Sequence, residues 1–169
     1  MRSRSYAEIR FQLLLQIVSR GSSCYALSGE KTMQTASVKW IGEEKFVATG
    51  PSGHAITIDS DRGSNKAPGP MELVLIALGA CTATDVVSIL TKKRQKLESL
   101  EVICSGERAA EPPTVWTKLE ILYRLRGKLD DGAVKHAIQL SEDKYCSVAA
   151  MLKKTASVTW RYEILPPSS

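Results

Sequence analysis

The feature that most constrains this chain is an apolar run from Met71 to Leu90. At 20 residues it is too long for a strand, and as a helix it would span ~30 Å, enough to cross a small domain. Pro70 suits the first turn of such a helix. A helix that is apolar on nearly every side has to be buried, and a domain of this size can hardly enclose it alone. The run therefore predicts a central helix that is sandwiched within a dimer.

The length and composition indicate one globular domain. The chain has 169 residues, of which 43% are apolar and 24% charged, so it can bury a substantial core. No stretch of ~18 residues is both apolar and free of charge, which predicts that the protein is not a membrane protein. The net charge is +5, but residues 1–32 alone contribute +3. With no recognisable nucleic-acid motif, this charge does not favour nucleic-acid binding.

The first 32 residues differ from the rest of the chain. The apolar segment Phe11–Val18 faintly resembles a secretory signal, but it is short and is broken by two glutamines. We therefore interpret residues 1–32 as a disordered N-terminal extension or an upstream start. A more regular pattern begins at Met33, and we expect residues 33–169 to form a single domain. A cytoplasmic location follows from this interpretation.

The pattern after Met33 predicts strand, strand, strand, helix, strand, strand, helix, helix, strand. The first three strands would form an antiparallel meander, because turn signals separate them. The fold class predicted is α+β, with antiparallel sheets around the long buried helix. The predicted strands are 36–41, 45–49, 54–59, 101–106, 115–124 and 157–165, and the later helices are 130–140 and about 147–155.

The four cysteines do not follow a metal or disulfide pattern. They lie far apart without a Cys-x-x-Cys pair, and the chain has only two histidines, so the sequence predicts no metal site. Cys81 lies within the apolar run and begins a polar stripe, because Thr84, Asp85, Ser88 and Lys92 share its helix face. This stripe disfavours a purely structural role for Cys81, since an unpartnered buried aspartate would be costly.

Cys146 is predicted to lie in the first turn of a short helix. Backbone N–H groups and the helix dipole stabilise a thiolate there, so we expect a lowered pKa and a reactive thiol. The alternative is a small residue that only packs. Cys24 lies in the N-terminal extension, and Cys104 lies within a predicted strand; neither is assigned a role.

Two motifs give the chain a family resemblance. The segments PMELVLIALGAC, residues 70–81, and KYCSV, residues 144–148, are similar to the OsmC/Ohr family of organic hydroperoxide resistance and osmotically inducible proteins. Within this family the sequence is most similar to the YhfA-like branch. The motifs shared with that branch, or their near equivalents, are Lys-Ala-Pro-x-Pro-Met-Glu, Asp-Val-Val-Ser-Ile-Leu and Glu-Lys-Tyr-Cys-Ser-Val-Ala. The resemblance covers residues 33–165 in element order and in the separation of the two cysteines.

The resemblance implies an enzyme, namely a cysteine-based peroxidase that acts as an intertwined homodimer. Carried over by position, Cys81 is the peroxidatic cysteine and Cys146 the resolving cysteine. Hydroperoxide oxidises Cys81 to a sulfenic acid, and Cys146 condenses with it to a disulfide. An external dithiol, typically a protein-bound lipoyl group in this family, then reduces the disulfide. No cofactor or metal is implied.

The chain departs from the family pattern around its activating residues. A glutamate usually follows the proline that begins the helix, whereas here Met71 does and Glu72 comes next. Glu72 precedes Cys81 by nine residues, ~13.5 Å along the axis and half a turn around it, so it cannot touch its own Cys81. We therefore expect Glu72 to act, if at all, through a loop residue or across the dimer interface.

The family also uses an arginine to hold the peroxidatic thiolate. Arg62, Lys66 and Arg94 are the candidates here, and the sequence does not select among them. Asp85 lies one turn beyond Cys81 and either orients a cation or marks a weaker nucleophile, because a carboxylate disfavours a neighbouring thiolate.

Three alternatives to a peroxidase remain open from the sequence. The first is a redox sensor that forms the same disulfide without turnover. The second is a module that binds an apolar ligand at the dimer interface, with inert cysteines. The third is a hydrolase that pairs Cys81 with His54 or His136, although neither histidine lies in a motif.

Overall fold

The computed structural model describes residues 33–168 of the chain. A compact unit begins at Ala36 and includes all the strands and helices of the described residues. The predicted extension over residues 1–32 lies outside the described residues.

The first sheet is the predicted antiparallel meander. It consists of β1 (Ser37–Gly42), β2 (Lys45–Thr49) and β3 (Ala55–Asp59), paired in that order. Gly42 adopts a φ of 120° and Glu43 one of 50° in the tight turn between β1 and β2. Few L-residues tolerate such angles, which explains why a glycine stands at the beginning of this turn.

A structured loop joins this sheet to the long helix. The side chain of Asp59, itself buried, accepts hydrogen bonds from the backbone N–H groups of Asp61 at 3.0 Å and Lys66 at 3.1 Å. The nearby hydroxyl of Ser64, together with these backbone contacts, holds the pKa of Asp59 below its ordinary value. The loop is therefore organised around one ionised carboxylate, which fixes the approach of the chain to the helix.

The apolar run forms helix α1 (Pro70–Lys92), as predicted. Pro70 is the first helical residue, and the carboxylate of Glu72 accepts a hydrogen bond from the backbone N–H of Gly69 at 2.9 Å. Both features stabilise a helix start. The helix ends at Lys92 with Lys93 as its C-cap, and Arg94 follows in a left-handed conformation with a φ of 55°.

The second sheet differs from the prediction in one strand pairing. It consists of β4 (Lys96–Arg108), β5 (Trp116–Lys128) and β6 (Ser157–Leu165), in that order. β4 and β5 pair antiparallel, but β5 and β6 pair parallel, so the expectation of purely antiparallel sheets was wrong. The physical reason is the connection: residues 129–156 form a crossover that includes helices, and such a connection allows parallel pairing.

The crossover contains three helical segments. Helix α2 (Asp131–Leu140) is capped by Asp130, whose side chain accepts a hydrogen bond from the backbone N–H of Ala133 at 2.7 Å. One turn of π-helix (Ser141–Tyr145) follows directly, and the short helix α3 (Ser147–Leu152) comes after it. The π-helical turn had no signal in the sequence pattern.

The core is formed by α1, the second sheet and the crossover helices, without residues from the first sheet. Only one side of α1 contributes to it, through Leu78, Thr82, Val86 and Leu90. Another side stays exposed, with Ile76 54% and Val87 40% accessible. Within one chain the helix is therefore buried on one side only. This is expected if a second chain buries the other side.

Helix α1 also has the length and composition of a membrane span. Its mean hydropathy reaches 2.1 over 18 residues, although core helices of soluble proteins meet the same criterion. The helix packs on β4 and carries the polar residues described below. That the protein acts without a membrane stays a prediction.

Candidate active site

The polar stripe predicted on α1 divides into an exposed and an inward part. The side chains of Thr84, Ser88 and Lys92 are exposed, and the hydroxyl of Thr84 donates to the backbone oxygen of Ala80 at 2.8 Å. Cys81 and Asp85 are half-buried, and Thr82 beside them is fully buried. The inward part of the stripe therefore faces the crossover helices.

The π-helical turn positions Cys146 opposite this face. The backbone N–H of Cys146 donates to the oxygen of Ser141 at 2.8 Å, which closes the wider turn. Cys146 then becomes the N-cap of α3, and its Sγ accepts a hydrogen bond from the backbone N–H of Ala149 at 3.4 Å. Single π-helical turns occur frequently at functional sites. The predicted place of Cys146 at a helix start is confirmed.

The two cysteines of the predicted site meet in the structure. The sulfurs of Cys81 and Cys146 and a carboxylate oxygen of Asp85 all lie within 4.8 Å of one another. Both thiols are free. Two thiols this close meet the first requirement for a disulfide, which is proximity of the sulfurs.

A chain of buried hydroxyl groups connects Asp85 to a second carboxylate. The hydroxyl of Ser141 donates to Asp85 Oδ2 at 2.9 Å and lies 2.9 Å from the hydroxyl of Thr82. The hydroxyl of Thr82 lies 2.5 Å from that of Tyr123, which donates to Glu142 Oε1 at 2.9 Å. The chain has four contacts but only three hydroxyl groups, and each hydroxyl group donates one hydrogen bond. When both carboxylates are ionised, one of the four contacts therefore lacks a donated hydrogen. One further proton on either carboxyl group would complete the chain.

Glu142 is a buried carboxylate that the sequence analysis did not identify. Its side chain is 1% exposed, and its Oε2 lies 3.3 Å from the Nζ of Lys153. This distance fits an ion pair although the geometry is not that of a hydrogen bond. Lys153 Nζ also donates to the backbone oxygen of Glu142 at 2.7 Å. Lys153 therefore balances the charge of Glu142, as a buried charge requires.

The surroundings of Cys146 have the opposite effect from the one expected. The pKa of its thiol is raised from 9.0 to about 12, mainly by burial and further by Cys81 and the charge of Glu142, although the N–H of Ala149 acts to lower it. The expectation of a lowered pKa was wrong, because desolvation outweighs the favourable helix start. Cys146 is a neutral thiol near neutral pH.

Cys104 lies outside this group. Its sulfur packs near Gly79, where a Cβ atom would lie 3.4 Å away. Burial, and then the charge of Glu142, raise the pKa of its thiol from 9.0 to about 11. It therefore remains an unassigned cysteine, and Cys24 lies outside the described residues.

The structure does not bring the predicted activating residues to the cysteines. Glu72 is exposed and caps α1, and its predicted role across a dimer interface stays a prediction. Among residues 33–168, the side chains of Arg62, Lys66 and Arg94 form no hydrogen bond or ion pair. The nearest basic group that the described structure ties to the site is Lys153, through Glu142.

The histidines give no support to a hydrolase. His54 is exposed and its Nδ1 lies 3.1 Å from the hydroxyl of Ser52, and His136 is exposed on α2. Neither belongs to the group around Cys81 and Cys146.

Comparison with known proteins places this site in a family context. Residues 63–161 match a family described as OsmC-like protein. Protein YhfA of Escherichia coli (strain K12) is 45% identical over 131 residues, which cover 77% of this chain and 97% of that protein.

Solved structures share the fold. An OsmC-like protein from Mycoplasma pneumoniae superposes with a TM-score of 0.71 at 14% identity, over 80% of this chain and 99% of that one. The organic hydroperoxide resistance protein OsmC from Legionella pneumophila superposes with a TM-score of 0.57 at 13% identity, over 79% of this chain and 98% of that one. At these identities the likeness is one of fold.

Proposed function

Because the chain belongs to the OsmC-like family, we propose that it is a thiol-dependent peroxidase that reduces organic hydroperoxides through a two-cysteine cycle. The observation that carries the proposal is the approach of the Cys81 and Cys146 sulfurs, which lie within 4.8 Å of each other. A structural neighbour of the same fold is named as a hydroperoxide resistance protein, which supports this substrate class.

The cycle begins at Cys81, the more accessible of the two thiols. Its thiolate attacks one oxygen of the hydroperoxide; an S–O bond forms, the O–O bond breaks, and the alkoxide leaves as an alcohol after taking a proton. Cys81 is then a sulfenic acid. The peroxide has been reduced by two electrons, which came from this sulfur.

Cys146 completes the oxidative half of the cycle. Its sulfur attacks the sulfur of the sulfenic acid, an S–S bond forms, and the hydroxyl group leaves with the proton of Cys146 as water. Because the Cys146 thiol is neutral, this proton has to be removed as the bond forms. Asp85 has a carboxylate oxygen within 4.8 Å of both sulfurs and is the group placed to carry it.

An external dithiol closes the cycle. Two thiol–disulfide exchanges return both cysteines to thiols and leave the dithiol oxidised. We assign this role to a lipoyl group, free or on a protein, and place the activity in the cytoplasm, where dithiols are kept reduced.

A homodimer is the second part of the proposal. The exposed side of α1 and the apolar side chains of the first sheet are the surfaces that a second chain would cover; the exposed residues include Ile76, Val87, Val38, Trp40 and Ile56. Large exposed apolar side chains that lie together on a surface mark interaction sites. The second chain would also be the source of an activating cation or of Glu72 near Cys81.

The decisive experiment measures consumption of cumene hydroperoxide by the purified protein with dihydrolipoamide as reductant. We expect multiple turnovers, loss of turnover in Cys81→Ser, and accumulation of the Cys81 sulfenic acid in Cys146→Ser, detected by dimedone labelling. Cys104→Ser is the matched control and should keep its activity, because that sulfur lies outside the site.

Two results would contradict a peroxidase. Consumption of one equivalent followed by a stable disulfide, with several dithiols tried, would identify a redox sensor instead. No peroxide consumption and no loss of thiols would leave a protein of this fold with inert cysteines, for which an apolar ligand would be sought.

A further inference from the structure

The group around Cys81 contains a carboxylate that opposes the first step of the proposed peroxide reduction. A negative charge beside Cys81 disfavours the thiolate that attacks a peroxide. Among residues 33–168, no lysine or arginine forms an ion pair with Asp85. The described structure thus leaves a half-buried carboxylate without a cation, directly beside two thiols.

We propose that Cys81, Asp85 and Cys146 of the reduced protein bind one borderline-soft divalent cation of the Zn²⁺ class. The inference goes beyond the proposed peroxidase and does not depend on it, because it requires only the positions of the three side chains. The spacing of cysteines along the chain does not predict such a site. It arises because the π-helical turn and α3 bring Cys146 to α1.

The distances suit a metal site after a small adjustment. The three donor atoms lie within 4.8 Å of one another. In a tetrahedral zinc site with Zn–S bonds of about 2.3 Å, the two sulfurs lie about 3.8 Å apart. Rotation about the Cα–Cβ bonds of the two cysteines can supply this contraction. Three protein ligands leave the fourth position to a water molecule.

The choice of donors indicates the class of metal. Two sulfurs exclude Mg²⁺ and Ca²⁺, which take oxygen ligands, and favour Zn²⁺ and its chemical relatives. Two thiolates and a carboxylate carry three negative charges, which a divalent cation largely neutralises. On binding, each thiol forms a sulfur–metal bond and releases its proton, so two protons leave for each metal ion bound.

The carboxylate is already oriented by an outer partner. Ser141 donates its hydroxyl hydrogen to Oδ2 of Asp85 at 2.9 Å, which fixes the orientation of the carboxylate. Ligating carboxylates in metal sites are typically held by hydrogen bonds of this kind. Ala149 gives similar support to the sulfur of Cys146 through its backbone N–H.

Metal binding and disulfide formation exclude each other, because both use the same two sulfurs. The cation would therefore protect the reduced pair, and oxidation of the pair would release the cation. This makes the prediction testable without any peroxide.

The test titrates the reduced full-length protein with Co²⁺, whose thiolate complexes absorb in the near ultraviolet, and then displaces Co²⁺ with Zn²⁺. We expect one ion per chain, two protons released, and protection of Cys81 and Cys146 but not Cys104 from alkylation. Asp85→Asn keeps a side-chain oxygen for Ser141 and should weaken binding by ~10-fold or more, comparable to losses seen for outer-shell partners alone. The double variant Cys24→Ser/Cys104→Ser is the control and should bind like the original protein.

Several outcomes would overturn the site. Absence of the thiolate absorption, or its persistence in Cys81→Ser, would show that the pair holds no metal. Unchanged affinity in Asp85→Asn would reduce the site to two thiols. Alkylation of the wild-type protein with and without the metal shows whether Cys81 and Cys146 are protected, even if a variant folds poorly. A peroxidase without metal binding, or metal binding without peroxidase activity, separates this inference from the proposed function.

Discussion

The Cys146 side chain is subject to two opposing influences. The N–H of Ala149 at the start of α3 stabilises its thiolate, whereas burial and the charge of Glu142 destabilise it. Burial is the largest of these effects, and the net result is a pKa raised to about 12. A thiol with this pKa is protected from direct oxidation, since the thiolate is the reactive form. In the proposed cycle it would act as a nucleophile only once a sulfenic acid has formed beside it and a base takes its proton.

Replacement of Glu142 should make Cys146 more reactive. Glu142→Gln removes a charge that raises the pKa of Cys146, so the pKa should fall towards its ordinary value of 9.0 and the thiolate fraction at neutral pH should rise. We expect faster alkylation of Cys146 in a chain that retains no other cysteine, measured as a function of pH.

Asp143→Asn provides a matched control, because this neighbouring carboxylate lies in the same turn but is exposed. It should change the alkylation rate much less. Equal rates for Glu142→Gln and the original protein would show that the charge of Glu142 does not act on this thiol.

At the residue scale, the sequence identified the two cysteines that lie close together in the structure but not their surroundings. Cys81 and Cys146 were recognisable because each lies in a motif with a local signal, a polar helix stripe or a helix start. Glu142, Tyr123 and Lys153 carried no such signal. Their roles come from contacts between distant parts of the chain, which periodicity does not report.

Among the elements, three are joined by a single hydroxyl group. Thr82 on α1 contacts Tyr123 on β5 and Ser141 at the start of the π-helical turn. All three residues are buried. The turn that carries Cys146 is thereby held against the helix that carries Cys81.

Removal of this hydroxyl should loosen the turn. Thr82→Val keeps the shape of the side chain but leaves buried polar partners unsatisfied, which costs about 1–3 kcal/mol. The expected result is a corresponding loss in the free energy of unfolding, measured by urea titration, and a lower rate of disulfide formation between Cys81 and Cys146.

Thr84→Val on the same helix is the comparison, because its exposed hydroxyl only bonds back to Ala80. Its effect should stay within about 0.5 kcal/mol, as for most surface substitutions. Equal effects of the two substitutions would mean that the buried hydroxyl chain does not stabilise the turn.

The order and type of the elements followed from the sequence better than their pairing did. α1 was evident from its apolar run, and the strands from turn signals between them. β4 extends beyond both of its predicted ends and β5 beyond its predicted C-terminal end, because Leu97, Leu100 and Leu125 pack in the core although charged residues interrupt the apolar pattern there. The parallel pairing of β5 with β6 depends on how the crossover packs, which no local pattern records.

On the scale of the whole molecule, the exposed side of α1 leads to a prediction about assembly. Ile76 lies on this side and is 54% accessible within one chain. Ile76→Asp would place a charge in the proposed interface, where an unpaired charge is strongly unfavourable. We expect a dimer for the original protein and a monomer for the variant, measured by sedimentation equilibrium.

Gln139→Asp adds the same charge on the exposed side of α2 and should leave the dimer intact. A monomeric original protein would contradict the proposed assembly. Dimerisation that survives Ile76→Asp would mean that the chains associate through another surface.

The separation of the two cysteines along the chain has a thermodynamic consequence. Cys81 and Cys146 are 65 positions apart, so a disulfide between them would tie a large part of the unfolded chain into a ring. In the chain-entropy description, a ring of this size disfavours the unfolded ensemble by about 4 kcal/mol. Oxidation would then increase the free energy of unfolding, and reduction would remove this increase. The redox state of one bond would thus set how readily the chain is opened to proteases.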